Sequence, residues 1–184
     1  VKLSVTKLND LLRIEPSVLS DSRGWFFEAF SQGKLAEAGL DIQVAQANVS
    51  HSHGGVLRGL HFQHPQPQGK LVYVLAGSVF DVGVDLRRKS STFAQWHGEI
   101  LSADNHRMLY LPPGFAHGFQ VLSDSATFCY FCTAPYVASA DRSLRWDDPD
   151  IAIQWPRAVA ALSEKDRLAP SLRELEPQIA DFGV

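Results

Sequence analysis

Short apolar runs separated by turn residues recur along most of the chain, and few stretches carry a helical period. Turn signals fall about every ten residues, at 54–55, 65–69, 77, 87–91, 102–105, 112–114 and 123–125. Between them lie strand-like runs such as 70–75, 78–86, 108–111 and 126–133. Evenly spaced short strands with this punctuation predict an all-β fold, a β-sandwich or jelly-roll barrel. Nearer the start, Val18-Leu19 and Trp25-Phe26-Phe27-Glu28-Ala29-Phe30 flank Ser20-Asp21-Ser22-Arg23-Gly24, a hairpin-like turn. Ser31 is placed to cap a short helix that runs to Ala38 and is closed by Gly39. Beyond Trp155-Pro156 the composition shifts, and 162–168 and 171–175 read as short helices packed on the barrel.

The run 79–86 alternates with period two. Phe80, Val82, Val84 and Leu86 share one face, and Asp81, Gly83 and Asp85 share the other. A barrel whose interior strand face carries polar groups is a candidate cavity. The competing reading is a solvent face, and for Asp85, two residues from Arg87, that reading is preferred.

Length and composition narrow the class. The 184 residues fit one domain, 1–184, with no internal repeat or low-complexity segment. Hydrophobic residues at 45% and charged residues at 20% are ordinary for a soluble globule and argue against disorder. A formal net charge of −3 argues against a general nucleic-acid binder, though not against a small anion in a local cationic cleft. No apolar run approaches the roughly 18 residues of a spanning helix, so no membrane partner is expected. The opening Val1-Lys2-Leu3-Ser4 has no apolar signal core, and Cys129 and Cys132 make no disulfide framework. The chain therefore reads as cytoplasmic.

All seven histidines lie between His51 and His117, which invites a metal reading. His51-Ser52-His53 and Pro112-Pro113-Gly114-Phe115-Ala116-His117 resemble the two halves of a jelly-roll metal site. The first half lacks its carboxylate, because no Glu follows until Glu99. Cys129 and Cys132, three apart on a strand, point to opposite faces and read as two core thiols. Arg58-Gly59-Leu60-His61 is more informative. Arg58 and Lys70 together can hold a carbonyl oxygen or a phosphate, and His61 could take a proton next to that carbonyl. Simple alternation puts Arg58 and His61 on opposite faces; they share a cavity only if the strand bulges, and Gly59 is a place for that. Tyr130 reads as a core or rim aromatic, or as a proton donor if it faces the cavity. Ser163 caps a helix start, and Asp166 reads by default as a surface charge.

Eight segments in order resemble the dTDP-4-dehydrorhamnose 3,5-epimerase family. They are Asp21-Ser22-Arg23-Gly24 with Phe26 and Glu28; Gln46-Ala47-Asn48-Val49-Ser50; Gly55-Val56-Leu57-Arg58-Gly59-Leu60-His61-Phe62-Gln63; and Gln68-Gly69-Lys70-Leu71-Val72. Then come Phe80-Asp81-Val82-Gly83-Val84-Asp85-Leu86-Arg87, Pro113-Gly114-Phe115-Ala116-His117-Gly118-Phe119, Trp146-Asp147-Asp148-Pro149 and Leu162-Ser163-Glu164-Lys165-Asp166. The match is collinear from about residue 10 to about residue 170. The resemblance implies a cupin-type jelly roll with a few short peripheral helices, a homodimer with exchanged N-terminal strands, and no metal or cofactor. It implies inversion of C3 and C5 of a dTDP-4-keto-6-deoxy-glucose, on the way to dTDP-L-rhamnose.

Carried over by position, His61 resembles the general base and Asp166 its orienting carboxylate. Tyr130 resembles the acid on the opposite side, and Lys70 the residue that stabilises the C4 enolate oxygen. Arg58, His117, Gln46, Asn48 and Ser50 resemble substrate-binding positions. Arg23 and Glu28 would reach the nucleotide across the dimer, Tyr136 would stack on the thymine, and Asp141 and Lys165 fall near further contacts. The resemblance puts Arg58 and His61 in one cavity, which requires the bulge. Ala47, Phe131 and Asp141 depart from residues usual in the family, an acidic residue, Lys and Glu respectively. Within the same fold, the alternatives are a single-centre epimerase, a metal-dependent cupin oxygenase and a non-catalytic nucleotide-sugar binder.

Overall fold

The computed structural model describes residues 1–179 and Phe182. Its strands are β1 (Lys2–Val5), β2 (Leu12–Glu15), β3 (Leu19–Asp21), β4 (Gly24–Phe26), β5 (Gln46–His53), β6 (Leu57–Gln63) and β7 (Lys70–Ala76). They continue with β8 (Ser78–Asp85), β9 (Trp96–Ser102), β10 (Met108–Leu111), β11 (Phe115–Val121), β12 (Ser125–Cys132) and β13 (Asp141–Ser143). Short helices α1 (Gln32–Glu37), α2 (Glu164–Arg167) and α3 (Leu172–Leu175) lie outside them. One sheet has the order β1-β2-β10-β7-β12-β5 and the other β13-β6-β11-β8-β9, while β3 and β4 pair as a separate hairpin. The sheets are antiparallel and packed face to face, the jelly-roll arrangement expected from the turn spacing.

Three apolar layers hold the sandwich. Between the sheets, Val72, Val74, Leu109, Leu111, Phe119 and Phe128 interlock. On the outer face of the six-stranded sheet, Leu71, Tyr73, Met108 and Tyr110 pack under Leu35 of α1 and Leu40 and Ile42. On the outer face of the five-stranded sheet, Val82, Val84 and Leu86 pack under Leu172 and Leu175 of α3 and Phe182. Each large side chain so buried contributes about 1.5–3 kcal/mol. Both faces of β7 and β10 are covered, which is why Met108-Leu109-Tyr110-Leu111 is a continuous apolar run rather than an alternating one.

Strand β8 keeps its period of two: Val82, Val84 and Leu86 lie in the outer layer, with Phe80 packed beside them, and Asp81 is buried on the inner side. Asp85 corrects the solvent-face reading, because it is fully buried. The turn after β8 folds back over it and supplies donors from Arg87 Nε at 2.9 Å, Ser90 Oγ at 2.6 Å and Thr92 Oγ1 at 2.8 Å. Burial pushes the Asp85 carboxyl up, but these bonds and the Arg87 backbone N–H outweigh it and hold it below the ordinary Asp value. The aromatic run after the first hairpin also differs from its sequence reading. Extended pairing stops at Phe26, and Phe27 and Phe30 turn in against Tyr73 and Phe131, with ring centroids 6.4 and 5.4 Å apart.

Candidate active site

The expected bulge in β6 is present. His61 pairs with His117 and Arg58 with Phe119, so three steps along β6 match two along β11. Gly59 takes up the extra residue at φ +110°, and a Cβ there would lie 2.6 Å from the His117 carbonyl oxygen. Only glycine satisfies both demands. Arg58 and His61 consequently line one inner cavity of about 160 Å³, with Ser50, Lys70, His117 and Tyr130. An outer cavity of about 370 Å³ adjoins it and also touches His61, Lys70 and Tyr130.

The His61 ring is fixed by Asp166. Its Nε2 lies 2.5 Å from Asp166 Oδ1, and the Gly59 N–H donates to Asp166 Oδ2 at 3.3 Å. Asp166 is 2% exposed, which overturns its reading as a surface charge. Helix α2 begins as expected, with Ser163 Oγ accepting from the Asp166 N–H at 3.1 Å, and this cap turns the carboxylate inward. Burial pushes the Asp166 carboxyl up; the His61 contact and the Gly59 and Ser163 bonds outweigh it and leave it below 3.8. An ionised Asp166 accepts from Nε2–H, so Nδ1 keeps the free lone pair.

Tyr130 reaches the same cavities from β12, in the opposite sheet. Burial, with Cys132 next, raises its phenol, which therefore stays protonated at neutral pH. Lys70, at the start of β7, donates from Nζ to the His61 carbonyl oxygen at 3.4 Å. Burial of its amino group lowers its pKa, against the pull of Cys132, Asp141 and Asp81. Cys129 and Cys132 do point to opposite faces, but only Cys129 belongs to an apolar layer. Cys132 lines the outer cavity and accepts from Asn48 Nδ2 at 3.7 Å.

His117 is buried, and its Nε2 lies 2.8 Å from Asp81 Oδ2. Burial lowers its pKa and Asp81 only partly restores it, so the imidazole is neutral at neutral pH. Asp81 was visible in the sequence as a polar position on the inner face of β8 but not as a partner of His117. Ser52 was also missed; its Oγ accepts from Arg58 Nε at 2.8 Å. Alternation along β5, which sends Ser52 inward between exposed His51 and His53, is the signal that could have found it.

At the outer mouth, Gln46 Nε2 donates to Asn48 Oδ1 at 2.8 Å, and Gln46 Oε1 accepts from the Tyr136 N–H at 2.8 Å. Tyr136 Oη donates to Asp141 Oδ2 at 3.1 Å, and Lys165 Nζ pairs with the same oxygen. Arg23 and Glu28 are not in this cavity. Arg23 pairs with Asp21 on the exposed hairpin and Glu28 with Lys34. The His51 and His53 rings are exposed, and His51 Nδ1 meets Thr127 Oγ1 at 3.0 Å. Among the described residues, no three His, Cys, Asp or Glu side chains are grouped as metal ligands.

A family model described as dTDP-4-dehydrorhamnose 3,5-epimerase matches residues 5–174. The chain belongs to the dTDP-4-dehydrorhamnose 3,5-epimerase family. It is 49% identical over 169 residues to the enzyme of that name from Pseudomonas aeruginosa, covering 91% of this chain and 93% of that one. To the enzyme of the same name from Methanothermobacter thermautotrophicus it is 48% identical over 172 residues, covering 92% and 93%. Among solved structures it is similar to the Legionella pneumophila dTDP-6-deoxy-D-glucose-3,5-epimerase in complex with dTDP-4-keto-L-rhamnose. That likeness has a TM-score of 0.93 at 45% identity, covering 98% of this chain and 97% of the other.

The departures from the dTDP-4-dehydrorhamnose 3,5-epimerase pattern avoid the inner cavity. Ala47 is exposed, and Phe131 packs against Phe30 and Tyr73 on the outer face of its sheet. Asp141 stands at the outer mouth. The depressed Asp166 value sets a testable pH dependence. A lowered carboxyl contributes stability above the ordinary value of 3.8 and loses it as pH falls through its folded value. The urea-midpoint difference between wild type and Asp166→Asn should therefore shrink as pH falls below about 4. A difference that keeps its full size well below about pH 4 would contradict the depressed value.

Proposed function

We propose that this chain converts dTDP-4-dehydro-6-deoxy-D-glucose to dTDP-4-dehydro-L-rhamnose, inverting C3 and C5, on the route to dTDP-L-rhamnose. The observation that carries the reading is the confrontation of His61, backed by Asp166 on one sheet, with Tyr130 on the other, across a cavity they share with Lys70. A ring held between them meets a base on one face and an acid on the other. The names of the relatives supply the substrate class.

In this reading His61 Nδ1 takes the proton on C5. The C–H electron pair moves into the C4 carbonyl, and Lys70 stabilises the enolate oxygen so formed. Tyr130 then gives its phenolic proton to C5 from the other face as the carbonyl re-forms. His61 passes its proton to solvent and Tyr130 regains one, and the same exchange inverts C3. The C4 ketone is itself the electron sink, so the chemistry asks for no cofactor. Arg58 and Lys165 offer positive charge to the diphosphate. Gln46, Asn48 and Tyr136 bind the nucleoside end, with Asp141 holding Lys165 and Tyr136 at the mouth.

The reading extends to the assembly. Residues 1–184 work as one domain in a homodimer with exchanged N-terminal strands, in which Arg23 and Glu28 complete the partner's nucleotide site. Two features support this: both residues stand outside their own chain's cavity, and the hairpin that carries Arg23 exposes Leu19, Trp25 and Phe26. An apolar groove of about 380 Å³ beside Glu28 is a ready seat for such a segment. A cytoplasmic setting suits the two free buried thiols, Cys129 and Cys132.

Proton NMR of the substrate with enzyme in D₂O tests the chemistry. Deuterium at both C3 and C5 with the L-rhamno product is the expected result, and His61→Ala should abolish exchange at both carbons. Deuterium at one carbon would mean a single-centre epimerase, and exchange by His61→Ala at the wild-type rate would end the assigned role. Light scattering should give twice the chain mass; a monomer with full activity would remove the exchanged-strand proposal.

A further inference from the structure

Beyond β12 the Thr133 N–H donates to the Gly69 carbonyl oxygen at 2.9 Å. Each of the next four residues then gives one backbone group to a glutamine side chain. Gln68 Nε2 donates to the Ala134 carbonyl oxygen at 2.6 Å, and Gln63 Nε2 to the Pro135 carbonyl oxygen at 3.3 Å. The Tyr136 N–H donates to Gln46 Oε1 at 2.8 Å, and the Val137 N–H to Gln63 Oε1 at 2.7 Å. Gln46 opens β5 in one sheet, Gln63 ends β6 in the other, and Gln68 stands in the turn before β7. The proton-transfer steps use none of these bonds.

Pro135 and Tyr136 are exposed, so burial does little to order this loop. Order comes from the amides instead. Gln63 is 3% exposed, and both ends of its side chain are occupied, since Nε2 also donates to the Gln66 carbonyl oxygen at 3.0 Å. A primary amide supplies a donor and an acceptor together, which a carboxylate of the same size does not. Gln63 and Gln68 thus tie 134–137 to the turn at 64–69. At the centre of the clamp stands Tyr136, whose Oη donates to Asp141 Oδ2 at 3.1 Å. Its backbone and its phenol tip are both held, while the side chain stays 55% exposed at the mouth of the outer cavity.

A flat ring stacks on a base in a narrow range of orientations, and a ring fixed beforehand loses less freedom on binding. Resting on the reading above that puts Tyr136 at the nucleoside end, we propose that Gln63 and Gln68 are positioning residues that hold Tyr136 ready to stack on the nucleobase. They act through the backbone of 134–137, so their effect falls on nucleotide binding and not on the chemical step. Gln63 is two positions beyond His61 on β6 and shares its face. One strand therefore carries both the imidazole beside the sugar and the clamp behind the nucleobase platform.

The test measures calorimetric affinity for dTDP and for 2-deoxyribose 5-diphosphate, which lacks the base, together with kcat and KM. Gln63→Met keeps the size of the side chain and removes its hydrogen bonds; Gln68→Met removes a single one and decides the matter if the buried variant does not fold. Gln63→Met should weaken dTDP binding and raise KM by about fivefold or more, with kcat held within about twofold. Gln68→Met should shift both in the same direction by less, and neither variant should change affinity for the base-free diphosphate. Tyr136→Ala should weaken dTDP by about tenfold or more, and Gln63→Met added to it should cost little further. Equal losses on both ligands, or a full additional loss in the Tyr136→Ala background, would overturn the positioning role. Wild-type dTDP affinity in Tyr136→Ala would instead overturn the nucleoside placement of Tyr136, and the clamp's purpose with it.

Discussion

At Gly59 strand β6 runs so close to β11 that a Cβ would strike the His117 carbonyl, and at the same point the strand gains one residue over its neighbour. The extra residue breaks the two-residue alternation, and so a guanidinium and an imidazole three positions apart enter one cavity. The Gly59 N–H, freed from regular pairing, donates to Asp166. Helix α2 in turn sets Asp166 under His61, through the Ser163 cap. A side chain at position 59 would disturb all three at once, since the bulge, the Asp166 carboxylate and the His61 imidazole share this contact.

Ionisable groups inside a sandwich are costly unless each is held by a partner. This interior holds Asp166 against His61, and Asp81 against His117. The two pairs serve different ends. Asp166 orients a histidine that is partly exposed to the cavity. His117 is buried and stays neutral, because burial outweighs the pull of Asp81. Tyr130, from the facing sheet, stays protonated by burial.

Much of the frame was legible in the sequence because its signals are local. Turn residues mark the strand ends, Ser31 and Gly39 bracket α1, and Ser163 opens α2. The alternation of β8 showed which side chains face in. The bulge was legible as a conflict: two residues wanted in one site stood at the wrong spacing, with a glycine between them. Long-range facts were not legible. Asp85 read as exposed because the turn that folds over it supplies donors only in three dimensions. Asp166 gained its candidate role from family resemblance, since nothing local says that a helix 105 residues beyond His61 returns to it. Asp81 waited for β8 and β11 to be placed side by side.

The proposed base and acid, His61 and Tyr130, stand on opposite sheets, which bears most directly on stereochemistry, and Tyr130→Phe isolates it. In the proposed mechanism, removing the phenol takes away the proton delivered to the far face and leaves His61 and Asp166 intact. Proton NMR of dTDP-4-keto-6-deoxyglucose with this variant in D₂O should show deuterium entering at C5 with the D-gluco configuration retained. Inversion should slow by a factor on the order of 10² or more. Inversion at the wild-type rate would contradict the two-faced arrangement.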